Sequence, residues 1–222
     1  MQKFTTISGP IAAVMRANVD TDVIIRVEWL SMPREQLGPH AFEALRYLPD
    51  GSDDPEFMPN RPPFRAAPIL LAGANFGCGS SRETAVWALQ AMGFRCVIAP
   101  SFGDIFSNNC FQNGVLPIVL AQAQVDALAA RATNGEAFTI DLEQQTIIDA
   151  DGQTLAFDID TLRRASLLAG LDEIGLTLRD EALIRAWQTA DRRQRPWVWK
   201  VNDPQTARID LGNQTHPSTL QH

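Results

Sequence analysis

PILLAGANFGCGSSRETAVWALQAMGFRCVIAP, residues 68–100, carries the reading that decides the fold. PILLAG (68–73) is a short apolar run with the character of a buried strand. A turn with Gly77 and Gly79 follows, and then Ser80 and Ser81. From SSRETAVWALQAMG the apolar residues Ala85, Ala88, Leu89 and Met92 recur on one helical face, and Gly93 marks a stop. RCVIAP (95–100) reads as the next strand. The alternation continues outward. SFGDIFSNNCFQNG (101–114) reads as a helix closed by Gly114, VLPIVL (115–120) as a strand, and AQVDALAARATNG (123–135) as an amphipathic helix. Strands alternating with helices over residues 68–134 favour parallel strands joined by crossover helices.

The pattern changes beyond that point. AFTIDLEQQTIIDADGQTLAFDID (137–160) holds two or three short strand runs around Asp151-Gly152, a dipeptide suited to a hairpin turn. IDTLRRASLLAG (159–170), closed by Gly170, and DEALIRAWQTADRR (180–193) read as helices. PDGSDDPEFMPNRPPFRAAP (49–68) has loop composition, as has the polar stretch from about residue 200. No internal repeat is present. The expectation is one α/β domain over residues 1–199 with a mobile loop at about 30–66, and a polar C-terminal tail at 200–222. Trp197 and Trp199 are candidates for pinning that tail or for an oligomer contact.

Bulk properties narrow the function. Among 222 residues, 45% are hydrophobic and 20% charged, a globular composition. A net charge of −7 without any basic block argues against a general nucleic-acid binder. No apolar run approaches the roughly 20 residues of a membrane span. The start, MQKFTTISGPIAAVM, has no long apolar stretch of the kind a secretory signal needs. Cys78, Cys96 and Cys110 are odd in number and show no metal-ligand spacing, which suits reduced thiols in a cytoplasmic protein. An iron–sulfur cluster takes about three or four cysteine ligands, so none is expected on this chain.

The chemistry is concentrated in GANFGCGSSR (73–82) and Glu83. A strand, a glycine-rich turn and a helix start bring several backbone N–H groups to one point, where the helix dipole favours an anion. Arg82 in the first turn can add a bidentate contact to a carboxylate. A purely structural reading competes: Ser80-x-x-Glu83 also fits a capping box. Other motifs fail. No Lys precedes the serines as in a phosphate-binding P-loop, Arg82 stands where a GxGxxG run needs its last glycine, and no GxSxG elbow is present.

GANFGCGSSRETAVWAL (73–89) resembles the signature of isopropylmalate dehydratase small subunits and of the swivel domain of the aconitase superfamily. NVDTDVII (18–25), GFRCVIAPSFGDIFSNNCFQNGVLPI (93–118) and LRRASLLAGLDEIGLTL (162–178) agree with further blocks of that family in the same order. The resemblance spans about residues 4–190. It implies an α/β fold of the aconitase type, a swivelling β/β/α domain with a mixed sheet and crossover helices. It also implies a hydro-lyase that interconverts 2-isopropylmalate and 3-isopropylmalate in leucine biosynthesis through an alkene. On this resemblance Ser80 is the catalytic base, while Ser81, Arg82, Asp22 and Arg34 bind substrate. The 4Fe-4S cluster is implied on a partner, the large iron–sulfur subunit, with the complete site formed between the two chains. A free Ser hydroxyl is a weak base at neutral pH, and backbone donors with the Arg82 cation are groups that would stabilise its alkoxide.

Asp20 or Asp22 also fits a turn or cap, and Arg34 a solvated charge. Asn108 and Asn109 read as helix-surface or packing residues, and Arg163 and Arg164 as a partner contact or a solvated face. The chain departs from the family at Thr84, where His is usual, at Arg26-Val27, where Pro-Lys is usual, and in PREQLG (33–38). These departures raise a related hydratase of citraconate, dimethylmaleate or homocitrate-like acids as an alternative. A non-catalytic binding or regulatory module is the other, and the joint presence of Ser80, Ser81 and Arg82 weighs against it.

Overall fold

Eight short strands build two sheets in the computed structural model, which describes residues 1–199. They are β1 (Thr6–Gly9), β2 (Ile11–Val14), β3 (Ile69–Ala72), β4 (Cys96–Ala99), β5 (Leu116–Val119), β6 (Phe138–Asp141), β7 (Thr146–Ile148) and β8 (Thr154–Ala156). The helices are α1 (Thr21–Ile24), α2 (Glu43–Arg46), α3 (Glu83–Ala91), α4 (Asp104–Asn113), α5 (Gln122–Arg131), α6 (Thr161–Ala169), α7 (Glu173–Thr177), α8 (Glu181–Gln194) and α9 (Pro196–Trp199). The chain divides into two compact units, Met1–Gly175 and the residues from Leu176 onward. The polar tail expected at 200–222 lies outside the described residues.

In the first unit, β2, β3, β4 and β5 form a parallel sheet in sequence order, with Ile69 opposite Cys96 and Cys96 opposite Leu116. The second sheet, ordered β1-β6-β7-β8, is antiparallel throughout. Parallel and antiparallel pairing, expected within one mixed sheet, is thus divided between two sheets. The turn containing Asp151-Gly152 joins β7 to β8, and Asp149 Oδ1 accepts from the Gln153 backbone N–H at 2.9 Å.

Because strand side chains alternate in direction, the parallel sheet has two buried faces. Leu70, Ala72, Val97 and Ala99 pack with Ala85, Val86, Ala88 and Leu89 of α3 and with Phe106 and Cys110 of α4. Ile69, Leu71, Cys96, Ile98, Leu116 and Ile118 pack with Val125 and Leu128 of α5 and with Phe138, Ile140 and Ile147 of the antiparallel sheet. The layers are therefore helix, sheet and sheet, the expected β/β/α arrangement. The near-continuous apolar runs of β3 and β4 follow from burial on both faces.

The 30–66 stretch contains the short helix α2 and turns of 3-10 helix. Its Leu37, Ala41, Phe42, Phe57 and Phe64 are buried in the helix-side core. Asn60, also buried, holds the stretch together by donating to the carbonyls of Arg46 (2.7 Å) and Asp54 (3.0 Å). α6 begins at Asp160, which accepts from the backbone N–H groups of Leu162 and Arg163, and ends at Gly170 with φ +70°. Arg163 lies over the Phe111 ring and donates to Asn108, and Arg164 donates to the Leu142 and Glu143 carbonyls.

In the second unit, Asp191 near the end of α8 accepts from Arg195 Nε (2.6 Å) and Trp199 Nε1 (2.9 Å), which fixes the turn into α9. Those donors hold the Asp191 carboxyl below its usual range, Arg195 contributing most and burial opposing. Trp197 is exposed.

Candidate functional site

Residues 73–82 leave the end of β3 and run between two other segments before α3 starts. On one side Gly77 N–H donates to the Val19 carbonyl (2.7 Å) and Thr21 N–H to the Cys78 carbonyl (3.0 Å). On the other, Phe76 N–H donates to the Ser101 carbonyl (3.1 Å) and Gly103 N–H to the Phe76 carbonyl (2.9 Å). The turn is thus held by backbone bonds on both flanks.

Gly77 and Gly79 adopt φ +71° and +89°, where a side chain is costly. At Gly77 the space is also filled: a Cβ there would collide with the Phe106 ring of α4. Arg82 is extended at φ −130°, so the helix starts only at Glu83. This corrects the capping-box reading. Ser80 lies ahead of the helix start, Arg82 is the N-cap residue and makes no side-chain capping bond, and the Glu83 carboxylate accepts from Asn113 Nδ2 instead.

Ser80 and Ser81 are exposed on this turn. Thr21 Oγ1 donates to the Ser80 carbonyl at 3.2 Å, which ties the backbone of Ser80 to the 18–25 segment. In that segment the two acids divide their roles. Asp20 caps α1, its Oδ1 accepting from Val23 N–H at 2.8 Å. Asp22 points elsewhere and forms an ion pair with Arg82 Nη1. Four of the five expected residues, Ser80, Ser81, Arg82 and Asp22, therefore share one locality. Cys78, half-buried, belongs to the same turn, while Cys96 and Cys110 are buried and burial pushes both thiols up.

Arg34 reaches α3 by another route: its guanidinium stacks 3.6 Å from the centroid of the Trp87 ring. Trp87 Nε1 donates to Asn113 Oδ1 at 3.0 Å, and Asn113 Nδ2 donates to Glu83 Oε1 at 2.8 Å. Sequence reasoning missed Asn113. It precedes the Gly114 helix stop in an ordinary way, and no spacing in the chain links it to α3.

Beside Asp22 opens a cleft of about 390 Å³ lined by Asp20, Val23, Arg26, Val27, Glu28 and Ala44. Arg26 pairs with Glu28 (3.0 Å) and approaches Glu43 (3.9 Å). Val27, at 57% exposure, shows an apolar surface to the cleft. Thr84, another of the departures, is buried instead. Glu43 also accepts from Trp29 Nε1 (3.0 Å) and lies 2.7 Å from His40 Nδ1. Burial pushes its carboxyl up, but those hydrogen bonds and the nearby cations outweigh burial and hold it below the usual range. Among the described residues, no group of three or more His, Cys, Asp or Glu side chains is placed to hold a metal ion, and no helix is long and apolar enough to cross a membrane.

Comparison with known proteins agrees along the whole described chain. The family model for the aconitase C-terminal domain matches residues 1–123, and LeuD_N matches 126–161. The model for the C-terminal domain of the 3-isopropylmalate dehydratase small subunit matches 173–198. The 3-isopropylmalate dehydratase small subunit of Paramagnetospirillum magneticum is 50% identical, covering 89% of this chain and 100% of its own. That of Jannaschia sp. is 51% identical at the same coverage. The crystal structure of 3-isopropylmalate dehydratase from Methanocaldococcus jannaschii superposes with a TM-score of 0.60 at 29% identity, covering 82% of this chain and 99% of that one. With relatives matched over their full length, the chain belongs to the 3-isopropylmalate dehydratase small-subunit family.

Proposed function

We propose that this chain works as the small subunit of a two-chain hydro-lyase that interconverts 2-isopropylmalate and 3-isopropylmalate, with Ser80 as the base. The observation that carries this reading is the serine turn, which presents Ser80 and Ser81 to solvent beside the Arg82–Asp22 pair. Ser80 Oγ takes a proton from the carbon next to a carboxylate, and the electron pair left behind forms the alkene as hydroxyl leaves the adjacent carbon. Returning the proton and adding hydroxyl at the exchanged positions completes the isomerisation. Arg82 and Ser81 hold the carboxylate, and the start of α3 adds backbone N–H groups and its dipole. Asp22 orients the Arg82 guanidinium, and Arg34 approaches over Trp87. The departing hydroxyl calls for a Lewis acid, which this reading assigns to a 4Fe-4S cluster on the large subunit.

The decisive experiment is assembly with the large subunit encoded in the same genome, followed by assay of 2-isopropylmalate conversion. Activity in the complex and none in either chain alone is the expected result. A complex that assembles, carries its cluster and leaves isopropylmalate untouched would overturn it.

Arg26 and Val27 beside Asp22 favour a second reading, a preference shifted among 2-substituted malates. The same complex tested on citraconate, dimethylmaleate and homocitrate decides between them. A preference for isopropylmalate of about 10³-fold leaves the first reading standing and removes the second.

A further inference from the structure

Asn113 is the last residue of α4, and its side-chain amide makes three bonds to three different places. Oδ1 accepts from Trp87 Nε1 (3.0 Å), and Nδ2 donates to Glu83 Oε1 (2.8 Å) and to the Asn109 carbonyl (2.9 Å). Indole N–H can only donate, and a carboxylate or carbonyl can only accept, so the amide has one orientation that serves all three. Its own carbonyl accepts from Gln90 Nε2 at 2.7 Å, a further tie between α4 and α3.

The two side-chain partners on α3 are one turn apart, and each stands next to a candidate substrate cation. Glu83 is the first residue of α3 and adjoins Arg82. Holding its carboxylate fixes the start of the helix, and with it the backbone from which Arg82 reaches Asp22. Trp87 carries the Arg34 guanidinium on its ring face. Fixing the indole N–H sets the plane of that ring, and so the place where an arginine from a distant segment settles. We infer that Asn113 is a positioning residue that sets Arg82 and Arg34 relative to one another through a single amide. It does so without touching substrate. Asp in its place would accept from Trp87 but could not donate to Glu83. Leu would do neither.

This inference rests on the proposed roles of Arg82 and Arg34, and its test is built to separate the two. The assembled two-subunit enzyme is assayed with Asn113→Asp, Trp87→Phe, Arg82→Lys and Arg34→Gln across a range of pH. Asn113→Asp is expected to raise KM about 10-fold at neutral pH with kcat little changed, since Ser80 is not part of the network. The defect should shrink as pH falls, because a proton shared between the introduced carboxyl and Glu83 restores a hydrogen bond. Trp87→Phe keeps a ring for Arg34 but cuts the bond to Asn113, and should raise KM by a smaller factor of about 3. It decides the matter if Asn113→Asp fails to assemble. An unchanged KM in both variants, or a pH-independent loss of kcat and KM together with a lowered Tm, would overturn the inference. If Arg82→Lys and Arg34→Gln also leave KM unchanged, the reading of the site falls with it. If they raise KM while the Asn113 and Trp87 variants do not, only the inference falls.

Discussion

Arg82 and Asp22, 60 residues apart in sequence, form an ion pair across the serine turn. The arginine side chain is only 16% exposed while the aspartate is 54% exposed, so the pair joins a shielded cation to a carboxylate at the rim. A guanidinium has five N–H donors, and Asp22 together with a long contact from Nη1 to the Ile25 carbonyl (3.5 Å) does not exhaust them. The pair aims the cation while leaving it able to take a second carboxylate.

Asp22→Ala releases that aim. In the assembled enzyme KM for substrate is expected to rise by about 10-fold, with a smaller effect on kcat. A fall in KM would show that Asp22 repels the substrate instead of orienting its ligand.

Ser80→Ala should reduce turnover by about 10² or more while the complex assembles with unchanged Tm. The side chain is exposed and lies ahead of the helix start, so its removal should cost no more than about 0.5 kcal/mol. Steady-state kinetics with a melting curve on the same sample separates the two effects. Near-normal turnover would remove Ser80 from the chemistry.

Gly77→Ala tests the turn as a structural object. The residue has φ +71° and its added methyl would meet Phe106, so backbone strain and overpacking act together. A loss of about 3 kcal/mol is expected in urea unfolding. The contrast is Gly152→Ala in the β7–β8 turn, at a similar φ of +78° with open space around it. It should cost less.

Glu43→Gln should change how stability depends on pH. The folded carboxyl titrates below its ordinary value of 4.5, despite burial, because of its bonds to His40 and Trp29 and the nearby cations. A depressed pKa contributes stability that is present above the unfolded value and lost as pH falls through the folded one. The substitution should lower Tm at pH 7, by an amount equivalent to about 1 kcal/mol. The gap to the parent should close as pH falls below 4.5. A constant gap over that range would assign the effect to packing.

The alternating core from Ile69 to Arg131 was legible because its strands are short apolar runs and each of its three helices is followed by a glycine stop. The serine turn was legible as a glycine-rich turn between a strand and a helix, but its helix start was misplaced. Three residues of apparent capping box, Ser80 to Arg82, are kept out of the helix by the left-handed glycines before them and the extended Arg82. The N-terminal strands gave no separate signal, since Ile11–Val14 takes its identity from pairing with Ile69–Ala72. Residues 49–68 were read by their loop composition, whereas Phe57 and Phe64 there, with Phe42 before them, are buried in the core. Pairings such as Arg82 with Asp22, or Asn113 with Glu83 and Trp87, depend on tertiary folding, and no local pattern encodes them.

Only Pro10 separates β1 from β2, yet the two strands belong to different sheets. The parallel sheet can gather its strands in the order in which a ribosome delivers them. Ser8, by contrast, waits for Thr139, 131 residues later, before its strand has a neighbour. At about 5–20 residues per second, that is a wait on the order of 10 s with one bare strand edge at the emerging end. The helix-side layer, with its serine turn, is thereby positioned to form first, and the antiparallel layer to close over its far face last.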